Sequence, residues 1–338
     1  MNHRIGTKRR HGGHAALERG RAMKALVIIG LVALSLLLVL LAYRHDLRPA
    51  RTRIATGSLI AQTPCGPIEY AAAGDGPPVL VVHGAGGGFD QGMAFAAALQ
   101  ARGFRVVAMS RFGYLRTPLP DDASAAAQAD AHACLLDALG IQRAAIVGVS
   151  AGAPSSAQFA LRHPQRTAAL VLLVPAIYAP RPGNAPPLKT PAGTRFLFDT
   201  ALRSDFLMWA GTRLARRTMF RAILATPPEV IDRASTDERA RAGQMLDLIL
   251  PVSPRREGLI NDAGVTSNLP RYELERIAAP TLAISVADDL FGTFDGARYS
   301  ARHIPHARFI GYPSGGHVWI GHQQDIVDEI AGFLASAR

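Results

Sequence analysis

The chain has 338 residues, 49% hydrophobic and 19% charged, which is enough to bury one large core or two modest ones and too apolar for a disordered polymer. Its net charge of +11 sits at one end: residues 1–53 hold eleven of the 37 Lys and Arg and two of the 26 Asp and Glu, leaving residues 54–338 with 26 bases against 24 acids. A body so close to neutral, carrying no nucleic-acid-binding motif, argues against a nucleic-acid partner, and the two cysteines, Cys65 and Cys134, lack metal-ligand spacing.

Residues 1–24 are rich in Arg, Lys, His and Gly and are expected to be disordered. Residues 25–43 hold no charge across 19 positions. As a helix they would span about 28 Å, near the thickness of a bilayer core. The segment is apolar on all sides, which argues against a buried amphipathic helix. It is longer than the ~7–15 apolar residues of a signal peptide and lacks a small-x-small cleavage site. An uncleaved signal anchor is therefore preferred to a cleaved leader. Seven Lys and Arg precede it (Arg4, Lys8, Arg9, Arg10, Arg19, Arg21, Lys24) and four follow (Arg44, Arg48, Arg51, Arg53). That bias places the N-terminus in the cytoplasm and the body on the periplasmic or extracellular side. Residues 44–58 read as a linker.

From Leu59 the pattern changes to alternating strands and helices. Strands are expected at 68–72, 79–82, 105–109, 144–147, 169–174, 280–286 and 309–312. Helices are expected at 93–102, at 153–162, at 295–303, at 324–335, and in a segment capped by Asp121 or Asp122 that runs to Leu139. Continuous β-branched runs such as Val79-Leu80-Val81-Val82 suit strands buried on both faces. The fold class is α/β, a doubly wound, mainly parallel sheet. Residues 176–270 break the rhythm. Pro175, Pro180, Pro182, Pro186, Pro187 and Pro191 open a stretch of helix-like segments holding Phe196, Phe198, Phe206, Met208, Trp209, Met219, Phe220, Met245 and Leu246. The arginines there (Arg203, Arg213, Arg216, Arg217, Arg221) read as a solvated face. Cys134 reads as a small buried hydrophobe in a helix, with a Cys65–Cys134 disulfide as the alternative if the body lies outside the cytoplasm.

The residues around 150 carry the chemistry. Gly148-Val149-Ser150-Ala151-Gly152 lies between an apolar strand and a helix. A serine on a sharp strand-to-helix turn needs small residues two positions to each side, because the turn brings backbones close. It leaves the Ser150 hydroxyl at the carboxyl end of the strand, beside the unpaired N–H groups that open the helix. On this motif the chain resembles the α/β-hydrolase superfamily, in its serine-nucleophile branch, over roughly residues 60 to 336. The resemblance implies a core of residues 59–175 and 271–338 with a helical cap at 176–270; the apolar run at 25–43, read as one transmembrane helix, lies ahead of them. The resemblance also implies the order nucleophile, acid, histidine.

The resemblance places the base at His317, after Gly315-Gly316 and the last strand, with His322 as runner-up. His132 and His163 read as exposed or capping, and His83 as a brace for its loop. The acid follows the strand Ile284-Ser285-Val286. Relatives carry Gly-x-x-Asp there; Val286 takes the glycine's place, and counting from it gives Asp289, with Asp288 the runner-up acid. Oxyanion donors are expected from the backbone of Ala151 and, through the H-G-x-G match at His83-Gly84-Ala85-Gly86, of Ala85. Ser110 to Tyr114 departs from the Asp-x-Arg-Gly-x-Gly-like run of relatives and reads as structural, with Tyr114 a pocket residue.

Together these features lead to the expectation of a membrane-anchored serine hydrolase acting on a hydrophobic, ester-like acyl substrate, with no cofactor and no metal. Amide, thioester, lactone or carbon–carbon bond cleavage and perhydrolysis stay open within that class. A non-catalytic binding protein on the same fold is the alternative outside it.

Overall fold

The computed structural model describes residues 11–180, 200 and 202–337. Arg4, Lys8, Arg9, Arg10, the prolines from Pro182 to Pro191, Phe196 and Phe198 lie outside the described residues. The chain divides into two units at Pro49. The first holds most of helix α1 (His11–Thr56), whose residues from Ala50 on belong to the second, and α1 begins inside the stretch expected to be disordered. The expected linker is helical too: α1 continues through Pro49 to Thr56. Pro49 removes one N–H and crowds the carbonyl of His45, yet the helix runs on through Ala50 and Arg51, which are good helix formers. Within α1, residues Glu18–Thr56 include an 18-residue window of mean hydropathy 3.1, all of it exposed, long and apolar enough to cross a membrane.

The second unit is built on an eight-stranded sheet. Its strands are β1 (Leu59–Thr63), β2 (Gly66–Ala73), β3 (Pro78–Val82), β4 (Arg105–Met109), β5 (Ala144–Val149), β6 (Thr167–Leu173), β7 (Thr281–Val286) and β8 (Arg308–Tyr312). Their order is β1-β2-β4-β3-β5-β6-β7-β8. β3 to β8 pair in parallel and β2 runs antiparallel to both of its neighbours. Side chains alternate between two covered faces. Leu80, Val82, Val107, Ile146 and Leu172 face one core with α3 (Ala125–Ala138) and α4 (Ala153–Arg162). Val79, Val81, Val147 and Val171 face another with α2 (Phe89–Gln100) and α11 (Gln323–Ser336). Cover on both faces is why these strands read as unbroken apolar runs.

Between β6 and β7 the described chain is helical: α5 (Asp205–Leu214), α6 (Arg216–Ala222), α7 (Pro228–Arg233), α8 (Thr236–Asp247) and α9 (Arg256–Ser267). Phe220, Ile231, Ala242 and Leu246 form its own small core with Val318 and Ile320. α10 (Thr293–His303) then bridges β7 and β8.

Three local expectations are corrected. Ser124, not Asp121 or Asp122, caps α3, its hydroxyl accepting from Ala127 N–H, while Asp122 accepts from Ser124 N–H. Cys134 is not a free buried thiol: α3 packs over the β1–β2 hairpin and brings it to Cys65 in the hairpin turn, where the two are joined as a disulfide with Cα atoms 6.1 Å apart. His132 is neither exposed nor capping. It is fully buried between α3 and α4, its Nε2 3.1 Å from Ser155 Oγ.

Burial first, and then the Arg111 charge, lower the His132 pKa to about 3. The unfolded chain takes up this proton near pH 6.5 while the folded chain does not until about 3, so the associated stability is present above pH 6.5 and lost as pH falls towards 3. The slope approaches about 1.4 kcal/mol per pH unit. Urea unfolding at pH 7 and pH 4.5 should therefore show a loss smaller by about 2 kcal/mol in His132→Gln than in the unsubstituted chain; equal losses would refute this.

Candidate active site

β5 lies at the centre of the sheet, between β3 and β6. The strand order reverses at β3 and β5, and a crevice forms outside the carboxyl ends of parallel strands at such a point. Ser150 closes β5 there with φ 51°, a left-handed conformation rare for a residue with a side chain. The glycines on either side allow it. A Cβ on Gly148 would stand 2.4 Å from Ser156 Oγ, and one on Gly152 would stand 2.3 Å from Val82 O. Ala151 follows in the opening turn of a short 3-10 helix that leads into α4, where leading N–H groups have no intrahelical acceptor.

The loops after β7 and β8 bring the other expected residues to this point. His317 Nε2 is 2.9 Å from Ser150 Oγ, and His317 Nδ1 is 2.8 Å from Asp289 Oδ2. All three are buried, with Ser150 9% and His317 8% exposed. Asp289 also accepts from the Phe291 N–H at 2.9 Å and from the Thr293 hydroxyl. Burial pushes the Asp289 carboxyl up, but His317 and these two donors outweigh it and hold the pKa below the usual carboxylate value. An ionised carboxylate only accepts, so the proton on the imidazole is at Nδ1 and Nε2 is free to take one from Ser150. Asp288, the other carboxylate of the pair, faces elsewhere: its Oδ1 accepts from Gly316 N–H at 2.7 Å and fixes the glycine turn ahead of His317. His322 bonds the Ser314 carbonyl at 2.9 Å and stacks on Tyr312. The half-exposed Phe291 ring stands edge-on to the His317 ring, centroids 4.9 Å apart.

The loop after β3 forms the opposite wall. A Cβ on Gly84 would lie 3.1 Å from Ser150 Cβ, so the backbone here passes close to the serine. Ala85 is exposed, and Gly87 N–H closes a turn onto Gly84 O at 3.2 Å. His83 Nε2 accepts from Arg111 N–H at 3.0 Å, which leaves the ring proton on Nδ1 to donate to Gly84 O at 2.7 Å. Burial and then Arg111 hold the His83 pKa well below its ordinary value, so it stays neutral and acts as a brace. Ile249 and Leu259, from the helical insertion, approach Gly86 and give this wall an apolar surface.

Two buried ion pairs tie the same loop to the insertion. Arg255 is fully buried; it pairs with Asp90 through both carboxylate oxygens and donates to Gly87 O at 2.6 Å. Arg53 meets Asp90 from the other side at 2.9 Å. Arg111 pairs with Asp262 through two bonds of 2.7 and 2.6 Å. Tyr114 is fully buried among these groups, its hydroxyl on Asp262 at 2.5 Å, so it is a brace rather than the pocket residue expected. Asp90, Arg255 and Asp262 are site-supporting residues that sequence reasoning missed, and nothing in their spacing marks them. Among the described residues no group of three His, Cys, Asp or Glu is placed to hold a metal ion. The arrangement can take a proton from Ser150, hold the resulting imidazolium against Asp289, and present backbone N–H groups to a developing oxyanion.

A family model for the alpha/beta hydrolase fold matches residues 77–320. The uncharacterized hydrolase YcgS of Bacillus subtilis (strain 168) is 26% identical over 286 residues, covering 80% of this chain and 96% of its own. The 2-hydroxy-6-oxononadienedioate/2-hydroxy-6-oxononatrienedioate hydrolase of Paraburkholderia xenovorans (strain LB400) is 30% identical over 253 residues, covering 68% of this chain and 76% of its own. Among solved structures, an alpha/beta hydrolase fold protein from Nakamurella multipartita superposes with a TM-score of 0.65 at 27% identity, covering 83% of this chain and 100% of that one. The family match spans well over half of the sequence: the chain belongs to the alpha/beta hydrolase fold family and is a hydrolase of that fold.

Proposed function

We propose that the protein is a serine hydrolase that cleaves a hydrophobic, ester-like acyl substrate through an acyl-enzyme. Ser150 is the nucleophile, His317 the general base and Asp289 the acid that orients it. The observation that carries this reading is the continuous chain of hydrogen bonds from Ser150 Oγ through His317 to Asp289. His317 takes the serine proton as Oγ attacks the acyl carbon, and then gives it to the leaving group. Water then attacks the acyl carbon as His317 takes its proton, the bond to Ser150 Oγ breaks, His317 returns the proton to Oγ, and the acyl group departs as an acid. The N–H groups of Ala85 and Ala151 hold the oxyanion in both steps; one such donor is worth about 10²–10³ in rate. Ile249, Leu259 and Phe291 favour an apolar acyl group beside the serine. The chemistry so described draws on the chain's own residues, without cofactor or metal.

A fluorophosphonate probe should label the folded chain once, at Ser150, and leave Ser150→Ala unlabelled. Asp289→Asn should label slowly, with kcat down by about 10³–10⁴, because the amide can hold the wrong imidazole tautomer. A folded, unlabelled chain would instead support a non-catalytic binding protein.

A second reading of the bond cleaved comes from the relative in Paraburkholderia xenovorans, named for a 2-hydroxy-6-oxo dienedioate. On the same site Ser150 can attack a ketone carbon while the N–H donors hold the oxyanion; the adjacent carbon–carbon bond then breaks, and the carbon fragment leaves with the proton that His317 took from Ser150. Turnover of p-nitrophenyl esters of graded chain length, beside a 2-hydroxy-6-oxo dienoate, separates the two. Our reading expects the longer esters to have the higher kcat/KM, and a preference for the dienoate would replace it.

The apolar part of α1 anchors the enzyme in a membrane by residues 25–43, in contact with lipid. The Lys and Arg bias places the N-terminus in the cytoplasm and the hydrolase on the periplasmic or extracellular side. The Cys65–Cys134 disulfide suits that oxidising side. After carbonate washing the chain should stay with the membrane, and maleimide should reach both cysteines only after reduction and denaturation; a soluble chain starting beyond residue 43 would show a cleaved leader.

A further inference from the structure

The residues gathered behind the loop after β3 do more than fill space. Tyr114 has one hydroxyl proton. Asp262 lies 2.5 Å from the Tyr114 oxygen and, as the partner of Arg111, is an acceptor, so the proton points to Asp262. The oxygen's lone pair is thereby turned to the Gly86 N–H, which donates to it at 3.2 Å. Gly86 follows Ala85 and has φ 75°, so its peptide orientation sets the turn from which Ala85 projects. Arg111 holds the start of the same turn, donating from Nε to His83 O at 2.9 Å and from its backbone N–H to His83 Nε2. One carboxylate, on a helix of the insertion and 151 residues from Arg111 in sequence, thus governs both ends of the turn.

The packing around this carboxylate leaves no slack. A Cβ on Gly258 would stand 2.2 Å from the Tyr114 ring, so α9 rests directly on the tyrosine. Gly258 N–H donates to Gly113 O at 2.8 Å and locks the two segments together. Asp262 is 4%, Arg111 5% and Tyr114 0% exposed, so water does not replace these bonds. Burial and then the Asp262 charge raise the Tyr114 pKa well above its ordinary value, which keeps the hydroxyl protonated throughout the working range.

We propose that Asp262 and Tyr114 are positioning residues for the oxyanion turn: the carboxylate orients the tyrosine hydroxyl, and the hydroxyl holds the Gly86 peptide so that the preceding Ala85 N–H is fixed opposite Ser150. The proposal rests on the serine-hydrolase reading. It adds that the insertion carries part of the transition-state geometry as well as covering substrate. Neither residue touches substrate. Their effect falls on the charged intermediate, because only that species draws on the Ala85 N–H fully.

Tyr114→Phe removes the hydroxyl and leaves the Arg111–Asp262 pair in place, so it is the informative variant. In the full chain in detergent micelles, with a p-nitrophenyl ester, it should lower kcat by about 10-fold to 100-fold and leave KM within about twofold. Affinity for a trifluoromethyl ketone, which adds Ser150 to form an oxyanion, should fall by the same factor as kcat/KM. Asp262→Asn, which keeps the side-chain shape, should change kcat in the same direction. Wild-type kcat in Tyr114→Phe would overturn the proposal, and so would kcat and KM moving together with a lowered unfolding midpoint, the mark of a merely structural role. Failure of the unsubstituted chain to react with a fluorophosphonate would strike the underlying reading instead, so the two failures are told apart.

Discussion

The whole site depends on one strained residue. Ser150 is held with φ 51° at the end of the central strand, a conformation that costs about 1–3 kcal/mol for a side-chain-bearing residue. It persists because its surroundings permit no other path. Gly148 lets Ser156 close in from α4, and Gly152 lets the helix start against the carbonyls of Val82 and His83. β5 itself is paired on both sides, to β3 and β6, so the strain cannot be released by moving the strand. The Ser150 carbonyl is also engaged, accepting from Ala176 N–H at 3.0 Å just after β6. The hydroxyl is therefore presented at a fixed place, and the loops after β3, β7 and β8 need only be arranged around it.

That arrangement uses buried carboxylates, each with its own partner. Glu69, fully buried, takes Ser58, Ser110 and Arg116. Asp90 takes Arg53 and Arg255, and Asp262 takes Arg111 and Tyr114. In the low-dielectric interior a charge left alone after loss of its partner costs about 3–5 kcal/mol, so these groups resist rearrangement piecemeal. Replacing a whole pair by apolar groups is often neutral, so their value here lies in geometry more than in net stability. They fix loops that have no regular hydrogen-bond ladder of their own. The near-neutral balance of charge in residues 54–338 conceals this, because each buried base comes with an acid from a distant part of the chain.

What could be read from the sequence was what is local. The run from Ala144 to Arg162 gives strand, turn and helix in order, with the helix bounds as expected and the strand two residues longer, ending at Val149, because apolar periodicity and two glycines specify them within twenty positions. The strands of the parallel sheet were legible for the same reason. Counting from Val286, without the usual glycine, leads to the pair Asp288 and Asp289, and the two differ in orientation: Asp289 faces His317 and Asp288 faces Gly316. Pairings between remote segments were not legible. Asp262, Arg255 and the Cys65–Cys134 bridge depend on which helix the fold lays over which turn. His132 shows the same limit, since its i±4 neighbours do not reveal that α4 will cover it.

The helical insertion between β6 and β7 reaches both sides of Ser150. At one end, Ala225 O accepts from Leu290 N–H at 3.0 Å, beside Asp289. Thr226 fills the space that a side chain at Gly316 would need, and its hydroxyl accepts from Val318 N–H, beside His317. At the other end, Arg255 and Asp262 hold the turn after β3. The loops that carry Asp289 and His317 and the turn after β3 come from different edges of the sheet switch point, and the sheet alone does not connect them. The insertion does, since residues 225–226 and 255–262 lie within one short run of helices. It follows that the segments free to vary without disturbing the surroundings of Ser150 are those between and before these anchors, while the anchors themselves are constrained by the geometry around Ser150.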